Sequence, residues 1–366
     1  MIPAGPERFA STRDRIEVTQ GKAPTGKPRT KRPSASGVKM RDVARLAGTS
    51  TQTVSRVISR PELVAESTRQ LVERAIVELN YIPNSAARLL ASSASRIVAV
   101  IIPSLSATVY AQEVHHIVRV LEERSFSTLI GNSDYSQERE ERLVQSFLER
   151  QPEGFILTGT EHTERTTALL KRSGVPIVET FDGDSPAMDM SVGFSNFQAG
   201  RTVAELFRTR GLSRLAFVGG RQDQDFRANA RYAGYCDRLA QDGLAPVVRV
   251  ELDLPMRQAD GIAALDRVLA AEPLTQAIFF SADNMAISAL LECNRRGIGV
   301  PDQIAICGFG NYDYGDALIP SLTTISVPFE EMGALAAREI LARIDGDSER
   351  PRQTVMPFRL IRRGSA

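Results

Sequence analysis

Residues 40–58 read MRDVARLAGTSTQTVSRVI, two short helical patterns on either side of the turn Gly48-Thr49-Ser50. Gly48 supplies the positive φ that a tight turn requires. Ser50 is placed to cap the second helix by accepting a hydrogen bond from one of its free amides. Ala44 is small enough for a second helix to cross closely over it, and Val43, Leu46, Val54 and Val57 give each helix an apolar face. Thr51, Gln52, Ser55 and Arg56 fall on the opposite, outward face. The spacing predicts a helix-turn-helix whose outer face reads DNA in the major groove. Two amphipathic helices of an ordinary bundle are the competing reading of so short a segment.

Working outward, a break at Arg60-Pro61-Glu62 is followed by a third helical pattern over 66–79, with Leu71, Val72, Ala75, Ile76 and Leu79 as its stripe. Tyr81-Ile82-Pro83-Asn84 ends this headpiece, expected to span 38–83. Residues 84–95 contain SAARLLASS, a helical stretch too short to be stable alone. Residues 1–37, rich in Pro, Gly, Ser and basic groups, read as a disordered basic tail. Such a tail either adds nonspecific attraction to phosphates or is a dispensable extension.

Charge follows the same division. The tail holds eight basic against three acidic residues, and 38–92 holds eight against five, while the 366-residue chain is only +1 overall. A cationic first quarter and an acidic remainder suggest a nucleic-acid end on a body with another task. Cys236, Cys293 and Cys307 are too widely spaced for a zinc site or a disulfide scaffold. No apolar run approaches a membrane span and no secretory leader is visible, so a cytoplasmic protein with no membrane partner is expected.

From residue 96 the pattern changes. IVAVII (97–102), STLIGNS, GFILTG, PIVETF, RLAFVGG, AIFFSA and IAICGF are short apolar runs separated by helical stretches. This alternation predicts a doubly wound parallel α/β body over 96–366. Ligands of such sheets bind beyond the carboxyl ends of the strands.

The headpiece RDVARLAGTSTQTVSRVI (41–58), the junction ELNYIPNSAARLLA (78–91) and IPSLTTI (319–325) together resemble the LacI/GalR family of bacterial transcription regulators. IPSLSATVYAQE (102–113), HTERT (162–166) and SPAMDMSVGFSNFQAGR (185–201) look like one branch, the gluconate-utilisation repressors. The resemblance implies a homodimer on operator double-stranded DNA. Its body is implied to be two-lobed, like periplasmic binding proteins, with lobe boundaries near 195 and again near 326. A small-molecule effector between the lobes alters their angle.

The resemblance also assigns candidate residues. Thr51 and Gln52 occupy the positions of base choice, and Arg56 fits the family's common arginine. Gln pairs bidentately with adenine and Arg with guanine. Ser50, Thr53 and Ser55 are better placed for phosphate oxygens, which fix register rather than sequence, and Lys39 and Arg41 are further DNA-binding candidates. Asn84, Ala87 and Leu90 lie in the implied hinge helix, with Leu90 as the wedge between bases in the minor groove. Where the family's third helix usually begins with a serine cap, this chain has Ala65.

For the effector, Ser104, Tyr110, His162, Asn196, Arg221, Arg231 and Asn311 are the lining candidates, with Arg227 as a further arginine. Neutral-sugar members place an aspartate where this chain has Gly310, and an Asn-Asp pair where it has Ala282-Asp283. Ser195 stands where the family often has aspartate. A carboxylate repels an anionic ligand strongly only where water is excluded, and arginine binds a carboxylate bidentately. The expected effector is therefore gluconate or a related sugar acid.

An enzyme is the first rival. GFGNYDYG has a Gly-x-Gly but lacks the third glycine, and no P-loop or HExxH is present, so no catalysis and no cofactor are expected. A sugar-binding transport protein shares the body architecture but not the headpiece. A regulator of a neutral-sugar operon differs only in the pocket.

Overall fold

The computed structural model describes residues 38–82 and 94–366, in two compact units divided at Pro83 and Asn84. The first unit contains helices α1 (Met40–Leu46), α2 (Thr51–Ser59) and α3 (Glu66–Glu78), with a single 3₁₀ turn at Pro61–Leu63. The backbone amide of Lys39 donates to Asp42 Oδ2 (3.0 Å), which fixes the start of α1. Gly48 takes φ +63° in the turn, and Ser50 Oγ accepts from the Thr53 amide (3.1 Å) to begin α2. Val43, Ala44, Val54, Val57, Val72, Ala75 and Tyr81 close the core.

Two apolar residues depart from the expected stripes. Leu46 is 46% exposed and Leu71 49%, because three short helices enclose only the centre of each face. Tyr81, expected only to end the unit, instead fills its core. Ala65 makes no side-chain cap on α3. Glu66, in the first turn, is engaged by Gln70 (2.8 Å) and Arg69 (2.6 Å).

The second unit holds two six-stranded sheets. In chain order its elements begin β1 (Ile97–Ile102), α4 (Thr108–Glu123), β2 (Ser127–Asn132), α5 (Gln137–Leu148), β3 (Gly154–Thr158), α6 (Glu164–Ser173), β4 (Ile177–Thr180) and β5 (Met190–Gly193). They continue with α7 (Asn196–Thr209), β6 (Leu215–Gly220), α8 (Phe226–Ala240), β7 (Val248–Leu252), α9 (Asp260–Ala271), β8 (Ala277–Phe280), α10 (Asp283–Arg296), β9 (Ala305–Phe309) and β10 (Thr323–Ser326). Helix α11 (Phe329–Ile344), β11 (Gln353–Val355) and β12 (Arg359–Ile361) complete the chain.

The strand orders are β11-β5-β4-β3-β1-β2 and β12-β10-β9-β8-β6-β7, every pairing parallel except β10 with β12. Central strands such as β3 and β9 are buried throughout, as sheets covered on both faces require. The chain passes between the two lobes three times, between β5 and α7, between β10 and α11, and between β11 and β12. The last passage and the short strands β11 and β12 were not readable as apolar runs.

Helices α7 and α8 approach one another backbone to backbone. A Cβ on Gly200 would lie 1.8 Å from Arg231 O, and one on Gly234 1.9 Å from Phe197 O. These two glycines permit the crossing that sets where the first turns of α7 and α8 stand, and with them Asn196 and Arg231.

Candidate effector cleft and DNA-reading face

The recognition face is built by α2. Thr51, Gln52 and Arg56 are exposed, Thr53 and Ser55 are half-buried, and Val54 and Val57 turn inward. The Arg56 guanidinium has no hydrogen bond or ion pair among the described residues, whereas Arg45 is held by Asp42 (3.0 Å). Arg41 is likewise exposed, and Lys39 stands at the helix start. Ser50 Oγ is shared between the Thr53 amide and the Thr53 hydroxyl (2.9 Å), so it shapes the turn as well as facing outward. Asn84, Ala87 and Leu90 lie outside the described residues.

Between the lobes, the carboxyl ends of β4, β6, β8 and β9 direct side chains into one cleft of about 70 Å³. Tyr110 enters from the first turn of α4, Phe181 follows β4, and Phe329 begins α11. Asp225, Arg227 and Arg231 come from the start of α8, Ser281 follows β8, and Phe309 and Tyr312 border β9. Phe181 and Phe329 stack at 5.4 Å, and Tyr110 lies 5.1 Å from Phe181, giving an aromatic wall. Phe181 holds φ +66°, a costly conformation for an aromatic residue. Its carbonyl accepts Asn196 Nδ2 at 2.9 Å, which helps hold it there.

Arg231 is 6% exposed. Its Nη1 donates to Asn196 Oδ1 (2.5 Å), its Nη2 to Ser281 O (3.4 Å), and its guanidinium lies 4.1 Å from the Phe309 ring centroid. Burial, with Arg227 nearby, lowers its pKa to about 10. Its Nε and the Ser281 hydroxyl are buried without partners among the described residues, so polar valence remains for a ligand. Arg227 crosses the cleft and donates to the Tyr110 hydroxyl (3.0 Å). It also borders a neighbouring cavity of about 220 Å³ lined by Thr158, Thr160, Asp182 and Asn196. The carboxylate in the cleft is Asp225, whose Oδ1 is occupied by the Ala228 amide (3.0 Å) at the start of α8.

Tyr110 and Arg231 therefore share the central cleft, and Asn196 bridges it to the neighbouring cavity. Ser104, expected to line the cleft, is buried two residues beyond β1, bonded to Ser106 (2.9 Å), and lines neither cavity. Three further expectations for the lining need correction. The His162 side chain is 1% exposed and bonded at both ring nitrogens, to Glu140 (2.6 Å) and Glu179 (3.1 Å). Burial alone would depress its pKa, but these two carboxylates raise it to about 9. It is a buried cation that ties three segments of its lobe together and has no nitrogen left for a ligand.

Arg221 is 47% exposed and held by Asp223 (2.9 Å) and Asp253 (3.5 Å), at a separate open depression bounded by Glu251 and Arg267. Asn311 accepts from Arg363 (2.9 Å) and lines a depression with Ser326, Pro328 and Met356, beside two of the passages between lobes. Its neighbour Tyr312 turns into the cleft instead. Asp283 accepts the Tyr312 amide (2.8 Å) and the Thr324 hydroxyl (2.7 Å) and is fully buried, so it fixes the Tyr312 loop rather than facing a ligand. Burial raises its pKa to about 6 against those hydrogen bonds. Sequence reasoning missed Asp225, Phe181, Phe309, Tyr312 and Phe329. Only Asp225, a capping residue before a helical pattern, carried a local signal.

Among the described residues no helix is long and apolar enough to cross a membrane, and no group of three or more His, Cys, Asp or Glu side chains could hold a metal ion.

A three-helix DNA-reading unit followed by a two-lobed body with a polar cleft defines a ligand-responsive transcription regulator. Residues 39–84 match the model for bacterial regulatory proteins of the lacI family, and residues 204–366 match a periplasmic binding protein-like domain. The chain belongs to the LacI family of DNA-binding transcriptional regulators. It is 38% identical over 327 residues to the HTH-type transcriptional regulator GntR of Pseudomonas aeruginosa, covering 89% of this chain and 95% of that protein. It is 34% identical over 326 residues to the regulator of the same name from Escherichia coli strain K12, covering 89% and 98%. A LacI-family transcriptional regulator from Silicibacter pomeroyi superposes with a TM-score of 0.84 at 32% identity, over 90% of this chain and 99% of that one. The Lac repressor dimer bound to operator and the anti-inducer ONPF superposes with a TM-score of 0.79 at 26% identity, over 90% and 99%.

Proposed function

We propose that this regulator binds operator double-stranded DNA as a homodimer and represses genes of sugar-acid catabolism under the control of gluconate, or a closely related sugar acid, bound in the cleft. The observation that carries the reading is the convergence of Arg227 and Arg231 on a cleft whose aspartate, Asp225, is partly spent on capping α8. Within the central cleft two guanidinium groups stand against one carboxylate, which favours an anionic ligand there, while Glu161, Asp182 and Asp184 border the neighbouring cavity. The unpartnered Arg231 Nε and Ser281 hydroxyl suit the hydroxyl groups of the same molecule.

The central cleft, about 70 Å³, is narrow, and Arg227 borders both it and the neighbouring cavity of about 220 Å³. Movement of Arg227 or parting of the lobes would join or widen the two cavities, and this would link the ligand to the segments that pass between lobes. A regulator of bacterial genes works where the chromosome is, in the cytoplasm, and its task requires no catalysis.

The test is calorimetric titration of the full chain with gluconate, other aldonates and neutral sugars, paired with gel-shift assays on DNA from upstream of its own operon. Tight gluconate binding that alters operator affinity supports the proposal. Tight galactose binding with none for gluconate would favour a neutral-sugar regulator, the reading to which Asp225 lends itself. Equal operator affinity with every acid would remove the coupling.

A further inference from the structure

Glu113 differs from the other buried carboxylates of its lobe. Glu140 and Glu179 clasp His162, and Glu339 takes Arg350 (3.0 Å). Glu113 is 1% exposed, and neither carboxylate oxygen has a hydrogen-bond partner among the described residues. The hydroxyl of neighbouring Thr180 directs its hydrogen to Leu157 O (3.3 Å). Glu113 lies on α4 one turn beyond Tyr110, the residue that accepts Arg227 across the cleft. Helix α11 closes over it, so that a Cβ on Gly333 would lie 2.4 Å from Glu113 O and 3.1 Å from its Cγ.

We propose that Glu113 sets the charge beneath Arg227, so that an anionic effector is bound together with one proton held on Glu113. The proposal rests on the sugar-acid reading of the same cleft. Glu113 is buried and unpaired one helical turn from Tyr110, whose hydroxyl accepts Arg227. An ionised carboxylate in this place has lost its hydration, and only the Thr180 hydroxyl, otherwise directed to Leu157 O, and the Arg227 charge offset that loss. A protonated Glu113 leaves the Arg227 charge free for the ligand. An ionised Glu113 competes with the ligand for that charge.

Burial pushes the Glu113 carboxyl up to about 8, with Thr180 and Arg227 acting against it. On its own helix, Tyr110, one turn earlier, lines the cleft, and His116, one turn later, is paired with Glu330. From α8, Arg227 is the acting cation, and Asp225, Tyr110 and Tyr135 act in turn on Arg227. From β4 the neighbour is the neutral Thr180. From α11, Gly333 contributes no charge, and Glu330 is paired with His116 (3.4 Å).

The sign follows. An anion on Arg227 raises the Glu113 pKa further, so binding takes up a proton between the free and bound values. The experiment is calorimetry of the full chain with sodium gluconate, itself ionised throughout, from pH 6.5 to 9.5 in pairs of buffers of different ionisation heat. The expected result is a flat affinity near neutrality, then a loss approaching about tenfold per pH unit above pH 8. Proton uptake approaches one over the same range. In Glu113→Gln, which removes the charge and keeps the shape, affinity near neutrality is retained and the loss that sets in at pH 8 disappears, leaving only what His162 and Arg231 impose near the top of the range. His162 and Arg231 are present in both proteins, so the difference between them belongs to Glu113.

A wild-type affinity that is flat to pH 9.5, or a Glu113→Gln protein with the wild-type profile, overturns the proton linkage while leaving the sugar-acid reading intact. Failure of gluconate and every other aldonate to bind at any pH overturns both.

Discussion

His162 shows at the scale of one residue why a polar side chain in a suggestive motif is ambiguous. Within HTERT it reads as a surface or ligand-facing group, yet it is enclosed between Glu140 and Glu179. Its folded pKa, about 9, lies above the ordinary value near 6.5. It therefore adds stability that is fully present below about pH 6.5 and lost as pH rises through about 9. His162→Gln should destabilise the body by a few kcal/mol at pH 6, on the order of what breaking a buried pair costs. The difference from wild type should shrink by pH 9.5, as thermal or urea unfolding at the two pH values would reveal. A constant difference would mean that the imidazolium contributes only shape.

Leu90 offers the opposite case, a residue whose proposed role is apolar and lies on the DNA. Leu90→Ala should weaken operator binding at least tenfold, because a minor-groove wedge offsets the cost of the kink it makes. Gluconate affinity of the isolated protein should not change. Equal operator affinity in a gel shift would dismiss the wedge.

At the scale of elements, local signals and packing divide cleanly between the two units. Helix α3 lacks its cap because Ala65 offers no side-chain acceptor, although its backbone is already extended at φ −56°, ψ 137°. Ala65→Ser should stabilise the headpiece by about 1 kcal/mol, measured as a raised unfolding midpoint of residues 38–83 within the full chain. No gain would mean that Glu66 and the helix dipole already satisfy that end.

In the body the crossing of α7 and α8 depends on what is missing from Gly200 and Gly234. Gly234→Ala would drive a methyl into the Phe197 carbonyl, and backbone cannot step aside as a flexible side chain does. A loss of about 3 kcal/mol or more is expected. Gluconate binding should weaken with it, because Asn196 and Arg231 sit on the two displaced helices. Wild-type stability in denaturant titration would show that the helices slide freely.

At the scale of the whole molecule, charge separates the two tasks. The first 92 residues carry an excess of eight positive charges, and the rest of the chain is acidic enough to leave +1 overall. Affinity for operator should fall with salt, with a log–log slope of about −0.9 for each phosphate neutralised. Removing residues 1–37 should flatten that slope on random duplex while leaving the operator-to-random ratio nearly unchanged. Fluorescence anisotropy at several salt concentrations gives both quantities. An unchanged slope would make the tail an extension without a role in binding.

The helix-turn-helix was legible because each of its signals acts within a few residues. Gly48 turns, Ser50 caps, and a 3.6-residue period buries Val54 and Val57 while exposing Gln52 and Arg56. The alternating body was legible for the same reason, since IVAVII or AIFFSA buries itself on both faces wherever it lies. What the chain could not disclose is which cations meet. Arg221 and Arg227 stand only six residues apart, yet one is held by Asp223 at an open edge and the other reaches Tyr110, 117 residues away. Glycine contacts, three passages between lobes and short strands paired from distant parts of the chain decide that convergence. These are properties of packed surfaces, and no local pattern encodes them.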